Sequence, residues 1–213
     1  VGTVRLAADG SGRILGAELR LTMDVGAHYS RVTPIVPALT GVMMIGSYDI
    51  PNVFCEARGV YTNKTMIEPY RGAGRPEAAY FIERSMDVLS QDMGLDPLEL
   101  RRRNFIPPGR FPYETATGLT YDSGEYERAL DELLKYVDVR ALRLEQERRR
   151  RQGGKLLGVG VASAATSTRG SGVAHRPACG EPGEVAIHRH RRVWPNTWPI
   201  SDQLHSVALR RKA

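Results

Sequence analysis

Pro69-Tyr70-Arg71-Gly72-Ala73-Gly74-Arg75-Pro76-Glu77 places two glycines between two arginines and then opens, through proline, into an amphipathic helix. Glycine has no Cβ, so Gly72 and Gly74 can take positive φ and let backbone N–H groups approach a ligand closely. Pro76 suits the first turn of a helix, and the Glu77 carboxylate is favourable beside the positive end of its dipole. A glycine loop ahead of a helix N-terminus is a place where anionic groups dock. A plain structural turn reads the same way, with Arg71 and Arg75 paired to nearby carboxylates.

Downstream of the loop, Ala78, Ile82, Met86, Leu89 and Met93 form one apolar stripe at helical spacing, and Gly94 ends it. Asp96-Pro97-Leu98-Glu99 supplies an N-cap, a proline in the first turn and a capping-box glutamate for a second helix. Residues 105–120, rich in proline and glycine, read as an ordered loop. Ser123 is expected to cap a third helix that buries Tyr126, Leu130, Leu133, Leu134 and Val137. A charged fourth helix over about 138–152 ends at Gly153-Gly154, and residues 155–162 read as a strand.

Upstream, residues 2–25 alternate as a β-hairpin, with Leu15, Ala17, Leu19, Leu21, Met23 and Val25 on one face. Residues 33–45 read as a short helix or an irregular core segment, and 53–61 as a strand that buries Cys55. Strands, then helices, then a strand give an α+β fold rather than a regularly alternating parallel sheet. The apolar face of the hairpin is expected to lack its partners, which would make the chain poorly soluble.

Residues 1–163 carry 22 Lys+Arg against 21 Asp+Glu, whereas 164–213 carry 8 against 3 with four of the five histidines and both tryptophans. The basicity therefore lies in the tail, which argues against a nucleic-acid-binding protein. Arg148–Arg151 sit on a helix beside Glu145 and Glu147 with no interleaved aromatics, as a solvated face would. Cys55 and Cys179 make neither a disulfide framework nor a zinc site, and His175, Cys179, His188 and His190 match no standard zinc spacing. No apolar run is long enough to span a bilayer and no leader is visible, so a soluble, reducing compartment and no membrane insertion are expected.

Tyr70-Arg71-Gly72-Ala73-Gly74-Arg75-Pro76-Glu77 with the following 78–84, and the stretches 47–53, 96–106 and 117–124, resemble the large, molybdenum-cofactor-binding subunit of the xanthine dehydrogenase family. Within it they are most similar to the carbon-monoxide-dehydrogenase-like and aldehyde-oxidase-like branch, over roughly the first three quarters of the chain. Residues 1–163 are thus expected to be part of a molybdopterin-binding domain, and 164–213 a divergent basic tail that breaks the family pattern, as a frameshift would. The resemblance implies a molybdenum–molybdopterin cofactor that inserts oxygen from water into a small organic substrate. It also implies an iron–sulfur small subunit and an FAD medium subunit as partners for the electrons, and a cytoplasmic location.

By the same resemblance Arg71, Gly72 and Ala73 contact the cofactor, with backbone N–H donors and cationic charge offered to its anionic oxygens. Ala73 and Gly74 would border the substrate. The carbon monoxide dehydrogenases resembled here carry a cysteine at the position of Gly72 to hold copper, so the resemblance ranks an aldehyde or related small substrate above carbon monoxide. Ala73, where purine-oxidising relatives stack an aromatic ring, disfavours purines. The family's Gly-Gly-Phe-Gly loop, glutamine-glycine loop and catalytic glutamate are not recognisable. An internal fragment without a general base, inactive alone, is therefore the expectation, with a non-catalytic remnant as the alternative.

Overall fold

In the computed structural model, which describes residues 1–164 and the backbone of 184–190 and 210–211, a mixed sheet is covered on one side by helices. Strands β1 (Gly2–Ala8) and β2 (Ile14–Gly26) form the expected hairpin, with Val4 opposite Leu19 and Leu6 opposite Ala17. The register shifts where Ala7 faces Gly16 but Ala8 faces Ile14, leaving Leu15 unpaired. Such a bulge reverses the facing of side chains beyond it. Ile14 is therefore buried, and Leu15, expected inside, is exposed.

Strand β3 (Val53–Tyr61) lies parallel to β2, and the crossover between them carries helix α1 (Ile35–Val42). Most of β3 is exposed, and so is Cys55, contrary to the expectation that it is buried. β3 is an edge strand, and of its core-facing side α1 covers only a part: a Cβ at Gly41 would lie 2.5 Å from Cys55 Sγ. The uncovered apolar surface therefore sits on β3. The hairpin, expected to lack partners, has its inner face buried by helix α2 (Arg75–Met93).

Helix α2 buries Ala78, Ile82, Met86 and Leu89, as their spacing requires. Asp96 caps helix α3 (Pro97–Asn104) through its Oδ1, which accepts from the N–H groups of Leu98 and Glu99. The capping-box reciprocal bond is absent, because the Glu99 carboxylate is paired with Arg103 one turn on. Asn104, fully buried at the end of α3, accepts from Ile14 N–H and donates to the carbonyls of Gly12 and Leu100. It thereby ties the β1–β2 turn to the helix layer. Asn104→Ala leaves Ile14 N–H and Gly12 O without this partner and is expected to cost about 1–3 kcal/mol, measurable as a lowered urea midpoint.

The loop after α3 is ordered by a 3-10 turn at Pro108–Arg110 and by the short pair β4 (Tyr113–Glu114) and β5 (Thr120–Tyr121). Helix α4 (Tyr126–Tyr136) starts later than expected and is not capped by Ser123, whose hydroxyl turns to Asp122 instead. A Cβ at Gly124 would meet Phe111 at 2.7 Å, so the chain is pressed against an aromatic ring before the helix can begin. Helix α5 (Val139–Gln152) has no fully buried residue; Arg148, Arg149 and Arg151 pair along it with Glu145 and Glu147, and Arg143 pairs with Asp96. Strand β6 (Gly158–Ala164) pairs with β7 (Glu184–His190), and β8 (Arg210–Arg211) adds to β1. His175, Cys179 and the rest of the tail lie outside the described residues.

Candidate functional site

The glycine loop turns through three successive residues of positive φ: Gly72 at 112°, Ala73 at 45° and Gly74 at 92°. Ala73 is the one non-glycine residue with positive φ among the described residues, which marks the turn as held by its surroundings. Two internal bonds hold it, from Ala73 N–H to Tyr70 O at 2.9 Å and from Arg75 N–H to Gly72 O at 3.1 Å. The Ala73 N–H is therefore consumed by the turn itself and is not the free donor expected of it. No partner for Gly72 N–H occurs among the described residues.

Gly74 closes the loop onto α1. A Cβ there would lie 2.3 Å from Val36 O and 2.8 Å from Thr40 N, so no side chain fits. α2 thus begins wedged against α1, with its first turn pointed at a cavity of about 250 Å3. The wall is Met43 and Gly46 from the end of α1, Gly72, Arg75, Pro76 and Ala79 from the loop and α2, and Ser163 and Ala164 from β6.

Of the sequence-derived candidates, only Gly72 lines this cavity. Arg71 is exposed and makes no hydrogen bond or ion pair with any described residue. Ala73 is half-buried in the turn, and Gly74 is buried against α1. Neither Arg71 nor Arg75 is paired with a carboxylate, so the purely structural account of these two arginines has no support among the described residues. Arg75 was not expected at the site, although a cation in the first turn of a helix, where the dipole disfavours it, was a signal to look for.

A buried polar network fixes the far wall. Arg101, fully enclosed, donates through Nε to Glu83 Oε2 at 2.9 Å and through its terminal nitrogens to Asp87, Pro97 O, Glu83 O and Val161 O. Tyr48 donates to Glu83 Oε1 at 2.6 Å. Burial pushes the Glu83 carboxyl up, and the charge of Arg101 opposes that shift. The Val161 bond bolts β6 to α2 and α3. The 2.8 Å contact between the hydroxyls of Ser47 and Ser163 fixes the residue that reaches the cavity.

Chemically, the loop offers a free amide donor, an unpaired exposed guanidinium and a wall without bulk, which fits an anionic cofactor approaching over Gly72. Among the described residues no group of three or more His, Cys, Asp or Glu could hold a metal ion directly. No helix among the described residues is long and apolar enough to cross a membrane.

Residues 1–105 match the family model of the molybdopterin cofactor-binding domain. The chain is 42% identical over 163 residues to the carbon monoxide dehydrogenase large chain of Hydrogenophaga pseudoflava, covering 74% of this chain and 20% of that one. It is 37% identical over 107 residues to the aldehyde oxidoreductase of Megalodesulfovibrio gigas, covering 50% of this chain and 12% of that one. The solved quinoline 2-oxidoreductase of Pseudomonas putida 86 superposes with a TM-score of 0.68 at 35% identity, over 75% of this chain and 21% of that chain. The chain thus spans no more than about a fifth of the length of these relatives. The carbon monoxide dehydrogenase match is both longer and more identical than the aldehyde oxidoreductase match, which reverses the order suggested by Gly72. One loop position weighs little against a scaffold of more than a hundred aligned residues.

Proposed function

The chain belongs to the molybdopterin cofactor-binding domain family of molybdenum hydroxylase large subunits, and from that premise we propose that its Tyr70–Pro76 loop forms one wall of a molybdenum-cofactor pocket in an enzyme oxidising a small substrate. The observation that carries this reading is the positive-φ turn, with its free Gly72 N–H beside the unpaired Arg71, in the part of the chain that matches the family. When bound, the cofactor supplies the oxygen transfer from water and the two-electron chemistry, and iron–sulfur and FAD subunits take up the electrons.

The chain's own residues bind and exclude. Gly72 N–H donates to an anionic oxygen of the cofactor, and Arg71 balances its charge. Gly72 has no side chain, so the backbone approaches without obstruction, while Ala73 keeps the substrate side open. Gly74 sets the position of all three by its contact with α1.

For the substrate, the identity to carbon monoxide dehydrogenase large chains favours carbon monoxide. Gly72, which offers no thiolate to a second, soft metal, favours an aldehyde or a similarly small organic molecule as the second reading. The complete large subunit, purified with its partner subunits and assayed with an artificial electron acceptor on short-chain and aromatic aldehydes and on carbon monoxide, separates them. Carbon monoxide turnover supports the first reading. Aldehyde turnover without carbon monoxide turnover replaces it with the second, and no turnover of either by a molybdenum-loaded enzyme overturns both.

A further inference from the structure

We propose that the cavity behind the loop is a subsite for a small apolar carboxylate, held by Arg75. The inference rests on the aldehyde reading of the proposed function, since the product of aldehyde oxidation with water is a carboxylic acid, ionised at neutral pH.

Among the described residues, the wall of the cavity is apolar apart from Ser163, whose hydroxyl is engaged by Ser47, and Arg75. Among the described residues, Arg75 Nε is enclosed without a hydrogen-bond partner, and the guanidinium makes one long bond, from NH1 to Gly72 O at 3.3 Å. Arg75 has no carboxylate within ion-pair distance among the described residues. Glu77, two residues on, also keeps its Oε2 enclosed without a partner and does not line the cavity. An enclosed N–H of a charged group left unsatisfied is among the more expensive features a fold can carry. Here it sits in the first turn of a helix, where positive charge is further disfavoured. Nothing in the packing of α2 requires a guanidinium at this position, since the helix is held by Ala78, Ile82, Met86 and Leu89.

A carboxylate answers each of these features. Its oxygens accept from Nε and a terminal nitrogen in the parallel geometry that guanidinium favours. Its apolar body lies against Met43, Pro76 and Ala79. The cavity of about 250 Å3 exceeds the ~150 Å3 that accepts benzene, so a benzoate-sized or branched aliphatic acid fits. A neutral amide of the same shape keeps the apolar contacts and loses the charge-assisted pair.

The test is a titration of the full chain, labelled with 15N, by benzoate and separately by benzamide, following the arginine Nε–H resonances. The Arg75 signal is identified by its absence in Arg75→Lys. Benzoate is expected to shift that signal saturably with a Kd on the order of 1 mM, while benzamide leaves it in place. Arg75→Lys is expected to weaken benzoate binding, read from ring-proton line broadening, about tenfold. An Arg75 signal that ignores benzoate at roughly ten times that concentration, or that moves equally with benzamide, overturns the proposal. Ring-proton broadening of benzoate by the parent chain no greater than that of benzamide overturns it as well, and that readout needs no variant. The companion reading is tested separately. Molybdenum retained without carboxylate binding removes only this inference, and carboxylate binding without molybdenum removes only the cofactor assignment.

Discussion

Gly74→Ala is expected to lower stability by about 2–5 kcal/mol, because overpacking costs about 1–3 kcal/mol and forcing an L-residue into left-handed backbone adds about 1–2. The new methyl would lie 2.3 Å from Val36 O, 2.8 Å from Thr40 N and 3.0 Å from Thr40 Oγ1. Two of these three atoms are backbone of α1, and neither can rotate away. The control is Gly94→Ala at the other end of α2, where φ is 65° and a Cβ meets nothing within 4 Å. It should cost only about 1 kcal/mol. Urea unfolding of the two variants beside the parent chain checks the pair. Equal losses would mean that the loop is not wedged against α1, and the geometry of the candidate site would fall with it.

Arg101→Met is expected to cost about 3–5 kcal/mol, the usual effect of removing one partner from a buried ion pair. Arg101 is fully enclosed and Glu83 nearly so, and the substitution leaves the Glu83 carboxylate with only Tyr48 and a backbone amide to stabilise it. The loss should depend on pH. Burial already raises the folded-state Glu83 pKa, and Arg101 is the largest influence holding it down. Without Arg101 the folded state holds its proton to higher pH. An acid whose folded pKa lies above its unfolded value of about 4.5 costs nothing below that value and weakens the fold as pH rises through the folded pKa. The deficit of Arg101→Met should therefore be smaller at pH 4.5 than at pH 7.5, and adding Glu83→Gln should recover part of it at the higher pH. A deficit independent of pH would show that lost packing, not the stranded carboxylate, is responsible.

Elements with strong periodicity were legible from residues alone. The stripe Ala78, Ile82, Met86 and Leu89 is the buried face of α2, and Asp96 is the cap of α3, because both are set by local geometry. Leu15 was misplaced because a bulge is decided by pairing across the hairpin, which alternation along one strand does not register. Cys55 was misplaced because alternation reports which side of a strand faces the sheet's inner surface, not whether anything covers that surface. Ser123 was assigned a capping role on residue type, and contact of the preceding loop with Phe111 decided otherwise.

The site was legible in part for a similar reason. The glycines announced a turn of positive φ, and the turn is there. That Ala73 N–H is spent inside it follows only from the bond to Tyr70 O, which spacing does not foretell. Arg75 and Ser163 are 88 positions apart in the chain and meet at one cavity through the Arg101 bond to β6 and the Ser47–Ser163 contact. Their adjacency is a property of the packed fold, invisible to any local reading.

Whether the loop forms part of a molybdenum-cofactor pocket is read from molybdenum content. Arg71→Glu suits the purpose because Arg71 is exposed and bonded to nothing described, so the fold should not register the change. In the complete large subunit with its partners, the account expects near-stoichiometric molybdenum in the parent and at least a tenfold loss in Arg71→Glu, with an unchanged urea midpoint. Molybdenum bound equally well by both proteins would contradict the placement of the loop at the cofactor, and no molybdenum in either would contradict the function itself.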